Sequence, residues 1–253
     1  KGKKIIIGII VALLVVVLVG YIYLFTGSKI KNVSNDVIKG EEGTKSLVVY
    51  FTRQGEIPGN VDAVSSATQN SNEGMDGSDT EAAARMIQSL TGADLYQIYT
   101  EHYYRKSFAG TAATAWIEEQ LNLRPKLAAK PDNLDDYDTI YVGYPIWWFN
   151  APMAIGSFLE SYDLSGKTIV PFCTSQDNDI SVSMDYIKAV ASGANVLDGY
   201  RIHGADVDDV KEWLQRIGVL NDNNTENQNA EGSLEMKTKK SDKNYESATI
   251  PDE

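Results

Sequence analysis

Short apolar runs alternate with longer stretches of helical periodicity from residue 46 to about residue 219, and this alternation constrains the fold more than any other feature. Predicted strands cover residues 47–51, 94–99, 139–142, 168–173 and, more weakly, 195–202. Predicted helices cover residues 79–90, 110–121, 152–162, 180–191 and 207–217, with Asp79 and Asp206 as N-cap residues. Strands and helices that take turns form a parallel sheet covered on both faces. We therefore predict a three-layer α/β/α sandwich around a five-stranded parallel sheet.

A long uncharged run, IIIGIIVALLVVVLVGYIYLF, occupies residues 5–25. At about 1.5 Å per helical residue, this run matches a hydrocarbon core of roughly 30 Å. A signal-peptide core is usually shorter, and this run ends in Tyr21, Tyr23 and Phe25, which favour a membrane interface. Three lysines among the first four residues place the amino end in the cytoplasm by the positive-inside tendency. We therefore expect residues 1–26 to be an uncleaved transmembrane anchor, with the rest of the chain outside the cytoplasm.

Two segments without helical or alternating periodicity flank the predicted domain, which spans residues 46–220. Residues 27–45 are predicted to be a linker. The chain has 23 Lys and Arg residues and 35 Asp and Glu residues. Three of the lysines precede the apolar run, so the chain after residue 4 carries a net charge of −15. Anionic lipid repels such a body, so we expect it to hang from its anchor on this spacer. Residues 221–253 are rich in Asn and charge and are predicted to be a disordered tail.

Charge and cysteine content exclude several kinds of site. The formal net charge of −12 leaves few clustered cations to neutralise phosphates, so no nucleic-acid partner is expected. Cys173 is the only cysteine, so no intrachain disulfide can form. The chain has only two histidines, which with one cysteine are too few for a Cys/His zinc site. Because Cys173 closes a predicted strand, it is interpreted as a buried core residue. Neither a P-loop motif nor a dinucleotide-binding motif occurs.

Ligands of open parallel sheets bind outside the carboxyl ends of the strands, so the loops after strands one, three and four are the candidate site. The first loop begins TRQG at residues 52–55 and reaches its helix only at Thr80. Hydroxyls, backbone N–H groups and a helix N-terminus suit a phosphate. The alternative is that the glycines of this loop merely permit turns and that Thr80 only starts a helix.

The other two loops differ in character. The second, GYPIWWFNAPM over residues 143–153, carries adjacent tryptophans at Trp147 and Trp148 and suggests a flat ligand. The alternative is that one tryptophan fills the space between the loop and the next helix. The third, TSQDND over residues 174–179, could reach the polar edge of a ring, or could be an ordinary Asx turn and helix cap.

Over about residues 46–217, the chain resembles the flavodoxin-like family, specifically its short-chain flavodoxin branch. Four motifs together carry this resemblance: YFTRQG after the first strand, the pair Asp79-Thr80 that opens the next helix only after a long insert, GYPIWWFNAPM and SGKTIVPFCTS. The resemblance implies a sheet in the order 2-1-3-4-5 and noncovalently bound FMN. By position, the phosphate would be held by Thr52, Arg53, Gln54, Gly55 and Thr80. The ring would be lined by Pro145, Ile146, Trp147, Trp148, Phe149 and Asn150. Its edge would be met by Thr174, Ser175, Gln176, Asp177 and Asn178.

Residues 56–78 form an insert that typical members lack. Within it, DAVSSAT over residues 62–68 resembles the acceptor motif of flavin transferase, which esterifies the FMN phosphate to the final threonine, here Thr68. Ser66 stands where that motif usually has glycine. The alternative is a surface hairpin rich in Ser and Asn that carries no chemistry.

The leading hypothesis is an FMN-binding electron-transfer protein tethered to the membrane, in which the cofactor performs the redox chemistry. No catalytic side chain and no metal are expected. Its partner would be a redox protein or a small electron acceptor. The alternatives are a flavin-dependent NAD(P)H:quinone-type reductase of the same fold and a flavin-free cell-surface binding module.

Overall fold

The computed structural model describes residues 2–25, 29–53, 78–105, 107–132, 134–203 and 207–220. Its elements are α1 (Gly2–Phe25), β1 (Ser46–Phe51), α2 (Asp79–Thr91), β2 (Asp94–Ile98), α3 (Phe108–Gln120), β3 (Thr139–Pro145), α4 (Met153–Leu159), β4 (Thr168–Thr174), α5 (Ser181–Val190), β5 (Asn195–Val196), β6 (Tyr200–Ile202) and α6 (Val207–Arg216). Several predictions concern residues outside this description. These are Gln54, Gly55, Thr68, Asp206, positions 56–77 of the insert and the tail over residues 221–253.

The strands form one parallel sheet in the order β2-β1-β3-β4-β5, with β6 also paired to β4. This order confirms the one that the family resemblance implies. The predicted last strand over residues 195–202 consists of two short strands, β5 and β6. Asp198 and Gly199 lie between them, and both residue types are disfavoured in strands. Both short strands lie beside β4, so they share one edge of the sheet.

Alternate residues of the strands point into two cores, one on each face of the sheet. Leu47 and Val49 pack with α4 and α5 on one face, whereas Val48 packs with α2 and α6 on the other. This period-two alternation explains why the strands read as continuous apolar runs, since both faces are covered. Cys173 is fully buried in the first core, which confirms its interpretation as a core residue.

Residues 29–45 run along β2 instead of extending away from the domain. Ile38 exchanges two backbone hydrogen bonds of 2.8 Å with Leu95, near the start of β2. Lys29 pairs with His102, beyond the end of β2, in the same antiparallel sense. The segment predicted to be a linker therefore covers the edge of the sheet. Its pairing uses backbone groups at scattered positions, which explains why the sequence shows no alternation there.

The apolar run forms helix α1, and its segment Lys3–Ile22 is long and apolar enough to cross a membrane, with a mean hydropathy of 3.3. None of that segment is buried against the described parts of the protein. Length and composition are those of a membrane anchor or of a signal sequence.

Candidate functional site

Four hydroxyl side chains meet at the carboxyl edge of the sheet, and we call them the hydroxyl cluster: Thr52, Ser78, Thr80 and Thr174. Thr52 Oγ1 donates to Ser78 Oγ over 2.7 Å. Thr80 Oγ1 and Thr174 Oγ1 lie 2.7 Å apart within hydrogen-bond distance. All four residues are buried. The structure therefore brings together the predicted residues Thr52 and Thr80 of the first loop with Thr174 of the third.

Ser78, which the sequence analysis missed, is the N-cap of α2. Its Oγ accepts a hydrogen bond from the backbone N–H of Glu81 over 3.2 Å. The prediction that Asp79 caps this helix is wrong, because Asp79 already has helical conformation as its first residue. The spacing Ser-x-x-Glu is that of a capping box and could have identified Ser78. The cap leaves the N-terminus of a 13-residue helix at the hydroxyl cluster.

Arg53 follows Thr52 directly and is also buried. Its Nη2 donates to the carbonyl of Arg105 over 2.6 Å, and Thr111 Oγ1 donates to the same carbonyl. A guanidinium, several hydroxyls and a helix N-terminus form the donor set that a phosphate monoester accepts from. These residues fit the phosphate of FMN. Among the described residues, no cluster of His, Cys, Asp and Glu side chains could hold a metal ion.

The second loop folds into a tight turn over residues 147–150, which we call the aromatic turn. Trp147 and Asn150 exchange two backbone hydrogen bonds of 2.9 and 3.0 Å. The two central residues, Trp148 and Phe149, have φ values of 50° and 62°. Glycine and asparagine favour this left-handed region, and bulky side chains are disfavoured there. Backbone strain of this kind tends to persist where function maintains it.

Side-chain contacts hold the aromatic turn against α3. Trp148 Nε1 donates to the carbonyl of Ala112 over 2.8 Å. Asn150 Nδ2 lies 3.5 Å from the Glu119 carboxylate, and Asn150 Oδ1 accepts from the N–H of Ala151. These contacts offset part of the strain and fix the direction in which the turn projects.

The two tryptophans of the turn have different surroundings. Trp147 packs edge-to-face against Phe51 and Tyr104, with ring centroids 5.5 and 5.2 Å away. Trp148 is 47% exposed and Phe149 is 65% exposed. The packing role that was the alternative interpretation fits Trp147, whereas Trp148 and Phe149 expose aromatic surface.

The remaining predicted ring residues precede the turn or lie in the third loop. Pro145 is buried at the end of β3, and the N–H of Ile146 donates to the carbonyl of Thr174 over 3.2 Å, which ties the second loop to the third. Ser175 Oγ accepts from the N–H of Asn178. Gln176 and Asp177 are exposed. Asp179 is exposed as well, so the third loop is a polar turn with three side chains that face solvent.

A buried carboxyl group lies behind Trp147 and was not singled out from the sequence. Tyr104 Oη donates to Glu118 Oε2 over 2.7 Å, and Glu118 is only 4% exposed. Burial raises the pKa of Glu118 to about 7, although the hydrogen bond from Tyr104 opposes this rise. Glu118 shares a helix face with buried Thr111, Thr114 and Ala115, and this spacing was the only available signal.

Sequence comparison assigns the family. A family model described as Flavodoxin matches residues 74–217, which is more than half of the chain. The chain belongs to the flavodoxin family. This assignment agrees with the sheet order and with the position of the hydroxyl cluster and the aromatic turn at the carboxyl edge. No curated protein matches this flavodoxin.

Solved structures include similar proteins. A candidate flavoprotein from Bacteroides eggerthii is 29% identical, with a TM-score of 0.56, and the alignment covers 69% of this chain and 98% of that one. A candidate flavoprotein from Bacteroides uniformis is 30% identical, with a TM-score of 0.55 and coverage of 69% and 99%. A flavoprotein from Lactobacillus acidophilus in complex with FMN is 22% identical, with a TM-score of 0.48 and coverage of 67% and 98%.

Proposed function

We propose that this flavodoxin binds FMN at the carboxyl edge of its sheet and serves as an electron-transfer protein tethered to a membrane by α1. FMN is the cofactor that the family assignment supports. The observation that carries the proposal is the meeting of two unlike features at one edge. A buried hydroxyl cluster lies beside Arg53 at a helix N-terminus, and an exposed aromatic turn follows β3, the strand that pairs directly with β1.

Each feature has a distinct role in holding the cofactor. Thr52, Thr80 and Arg53, joined by Ser78, donate hydrogen bonds to the phosphate. The aromatic turn, with Pro145 and Ile146 before it, lines the isoalloxazine ring. Residues 174–178 meet the polar edge of the ring. When bound, FMN supplies the redox chemistry, and the side chains position it and exclude water from it.

A visible absorption spectrum of the purified full-length protein, before and after addition of FMN, tests cofactor binding. We expect a flavin spectrum, native or restored by FMN, that is weakened in Trp148→Ala. Trp116→Ala is the matched control, because Trp116 is 48% exposed and Trp148 is 47% exposed, but Trp116 lies outside the aromatic turn. A folded protein that stays colourless in excess FMN would overturn the proposal.

Turnover of a nicotinamide cofactor separates an electron carrier from a reductase. An electron carrier leaves NADH and NADPH unchanged when no partner enzyme is present. Steady-state oxidation of either by the purified protein would instead assign the NAD(P)H:quinone-type reductase, in which a nicotinamide reaches the ring over the exposed side chains of Trp148 and Phe149.

Covalent attachment of FMN at Thr68 is a second proposal, and it rests on the acceptor-like motif at residues 62–68. The intact mass of protein purified from its native host would then exceed the polypeptide mass by one FMN phosphoester. Thr68→Ala would remove this increment. An unmodified mass would overturn the attachment without affecting noncovalent binding.

The anchoring role of α1 rests on its length and its apolar composition. We propose that α1 is not cleaved from the protein and that the domain lies outside the cytoplasm. Membrane fractions washed with alkaline carbonate should retain the full-length protein, and protease added to intact cells or spheroplasts should digest the domain. Release of the domain into the medium would indicate a cleaved signal sequence.

A further inference from the structure

The path of residues 29–45 determines where the anchor joins the domain. Lys29 pairs with His102, just beyond the carboxyl end of β2, and Ile38 pairs with Leu95 near its amino end. The chain therefore enters the domain at the carboxyl edge and runs toward the amino edge. The sheet is parallel, so this is the edge that carries the hydroxyl cluster and the aromatic turn.

The connection between anchor and domain is short. Lys29 lies only four residues after Phe25, the last residue of α1. Four residues reach at most about 14 Å. On the domain side, Lys29 Nζ lies 2.6 Å from Glu101 Oε1, and the N–H of Ile30 donates to the carbonyl of Glu101 over 3.0 Å. The carboxyl end of β2 is therefore held close to the end of the apolar helix.

The two edges of the sheet lie at different distances from this attachment point. The longest strands, β3 and β4, have seven residues each. Seven residues of strand span about 23 Å. If the carboxyl edge faces the bilayer, the amino edge lies about 23 Å farther from the bilayer than the carboxyl edge does.

The exposed aromatic side chains of the domain lie on α3 and on the aromatic turn held against it. In the described part of the chain after residue 28, the exposed Phe and Trp side chains are Phe108, Trp116, Trp148 and Phe149. Phe108, Ala112 and Trp116 are spaced four residues apart on α3, and Trp148 donates to the carbonyl of Ala112. Two of the four rings thus lie on α3 and two on the turn held against it, and we call the four together the aromatic patch. Helix α1 also contacts α3.

Aromatic residues at the surface of a membrane protein favour the lipid–water interface, where the ring is partly buried. Electrostatic attraction to lipid cannot explain docking of this domain, since the chain after its first four residues carries a net charge of −15. The interaction available to the aromatic patch is therefore apolar, and it should be insensitive to salt.

We propose that the carboxyl edge of the domain faces the bilayer that α1 spans and that the aromatic patch docks on the lipid–water interface. The proposal rests on the anchoring function proposed above and is independent of FMN binding. It replaces the picture of a domain hanging freely on a spacer, because residues 29–45 are bound to β2. It also directs the FMN site toward the membrane, so that the electron partner reaches the ring from the membrane plane.

Spin labels at two heights test this orientation in full-length protein reconstituted into phosphatidylcholine vesicles. His203→Cys places a label at the carboxyl edge after β6, and Ser165→Cys places one at the amino edge before β4; both positions are exposed. The native Cys173 is buried and does not compete for the label. With nickel-chelating lipids, we expect several-fold stronger relaxation of the label at residue 203 than at residue 165. Equal relaxation, or the reverse order, would overturn the proposal.

A second pair of variants tests the patch itself. Phe108→Ser combined with Trp116→Ser should lose the difference between the two labels. Leu121→Ser, at the far end of α3 and 65% exposed, should keep it. A double variant that keeps the full difference would show that the patch does not dock.

The visible spectrum, recorded on the same vesicles, separates this proposal from the proposed function. Phe108 and Trp116 lie outside the predicted FMN site, so their replacement should leave flavin binding unchanged. Colourless protein with the expected label difference would refute FMN binding and keep the orientation. Flavin-loaded protein without a label difference would refute the orientation alone.

Discussion

The two edges of the sheet both bury polar side chains, but they do so in different ways. At the amino edge, Asp94 accepts hydrogen bonds from Lys39 Nζ and the N–H of Gly40, each over 2.8 Å, and from Tyr137 Oη. Lys167 Nζ, 9% exposed, donates to two backbone carbonyls beside this group. These polar atoms find their partners inside the chain, as buried polar groups in a stabilising network do.

The carboxyl edge has a different organisation. Its buried hydroxyls bond to one another, and a hydroxyl can redirect its hydrogen to a ligand. The aromatic turn beside them places two bulky residues at positive φ and leaves their rings exposed. From this comparison we expect buried polar residues to contribute to stability at the amino edge and to the proposed FMN binding at the carboxyl edge. Substitutions at the two edges should therefore give separable losses.

Asp94→Ala gives the largest expected effect and tests the amino edge. The variant leaves the buried Tyr137 hydroxyl without its acceptor and releases Lys39, so the free energy of unfolding should fall by about 3 kcal/mol. Chemical denaturation of the detergent-solubilised protein measures this loss. Lys39→Ala is the control and should lose much less, because the Lys39 side chain is 76% exposed. A large drop in the FMN affinity of folded Asp94→Ala would contradict the prediction that the two edges have separate roles.

The same carboxylate gives a defined pH dependence. Burial alone would raise the pKa of Asp94, but the hydrogen bonds from Lys39, Tyr137 and Gly40 outweigh it and hold the pKa below its usual value. Its contribution to stability is therefore present above the pKa of the unfolded chain and is lost as the pH falls through the lower folded pKa. Asp94→Asn should flatten this acid limb of the stability curve.

Glu118→Gln is expected to give an effect of similar size in the opposite pH direction. The folded pKa of about 7 exceeds the ordinary value of 4.5, so the folded state holds a proton that the unfolded chain releases. Stability should fall as the pH rises from about 4.5 to about 7, by up to about 3 kcal/mol. The glutamine variant should lack this fall because an amide does not titrate, and its amide oxygen can still accept from Tyr104. A wild-type protein with constant stability over this range would contradict the assignment.

Much of the fold was predictable because strands buried on both faces are continuous apolar runs, and helices have their own period. The meeting of Thr52, Thr80 and Thr174 at one edge was predictable because parallel strands bring their carboxyl ends together. The cover formed by residues 29–45 was not, since its pairing uses backbone atoms.

Other features escaped prediction for reasons of side-chain chemistry. The positive φ values of Trp148 and Phe149 have no sequence signal, because a turn of this kind is normally marked by Asn-Gly. The burial of Glu118 was equally hidden, because a glutamate on a helix usually faces solvent.

Thr80→Val sharpens the comparison at the carboxyl edge with an intermediate effect. Removing one hydroxyl from the cluster should weaken FMN binding about tenfold, the amount expected for loss of a hydrogen bond to a charged phosphate. Fluorescence quenching of added FMN measures the dissociation constant. Thr91→Val, at the other end of α2, removes a hydroxyl that donates to the Ile87 carbonyl and should leave FMN affinity unchanged. Equal weakening in both variants would indicate a general loss of helix stability.

Phe149→Gly gives the smallest expected effect and tests whether the carboxyl edge stores strain. Glycine adopts positive φ without the steric cost that a side chain incurs, so the glycine variant should be about 1 kcal/mol more stable than Phe149→Ala. The alanine variant is the matched control, because both lose the ring but only alanine keeps the Cβ atom. Both should bind FMN more weakly than the wild type, since both remove aromatic surface from the turn. If glycine and alanine are equally stable, the turn carries no strain. The contrast between the edges would then rest on the hydroxyl cluster and the exposed rings.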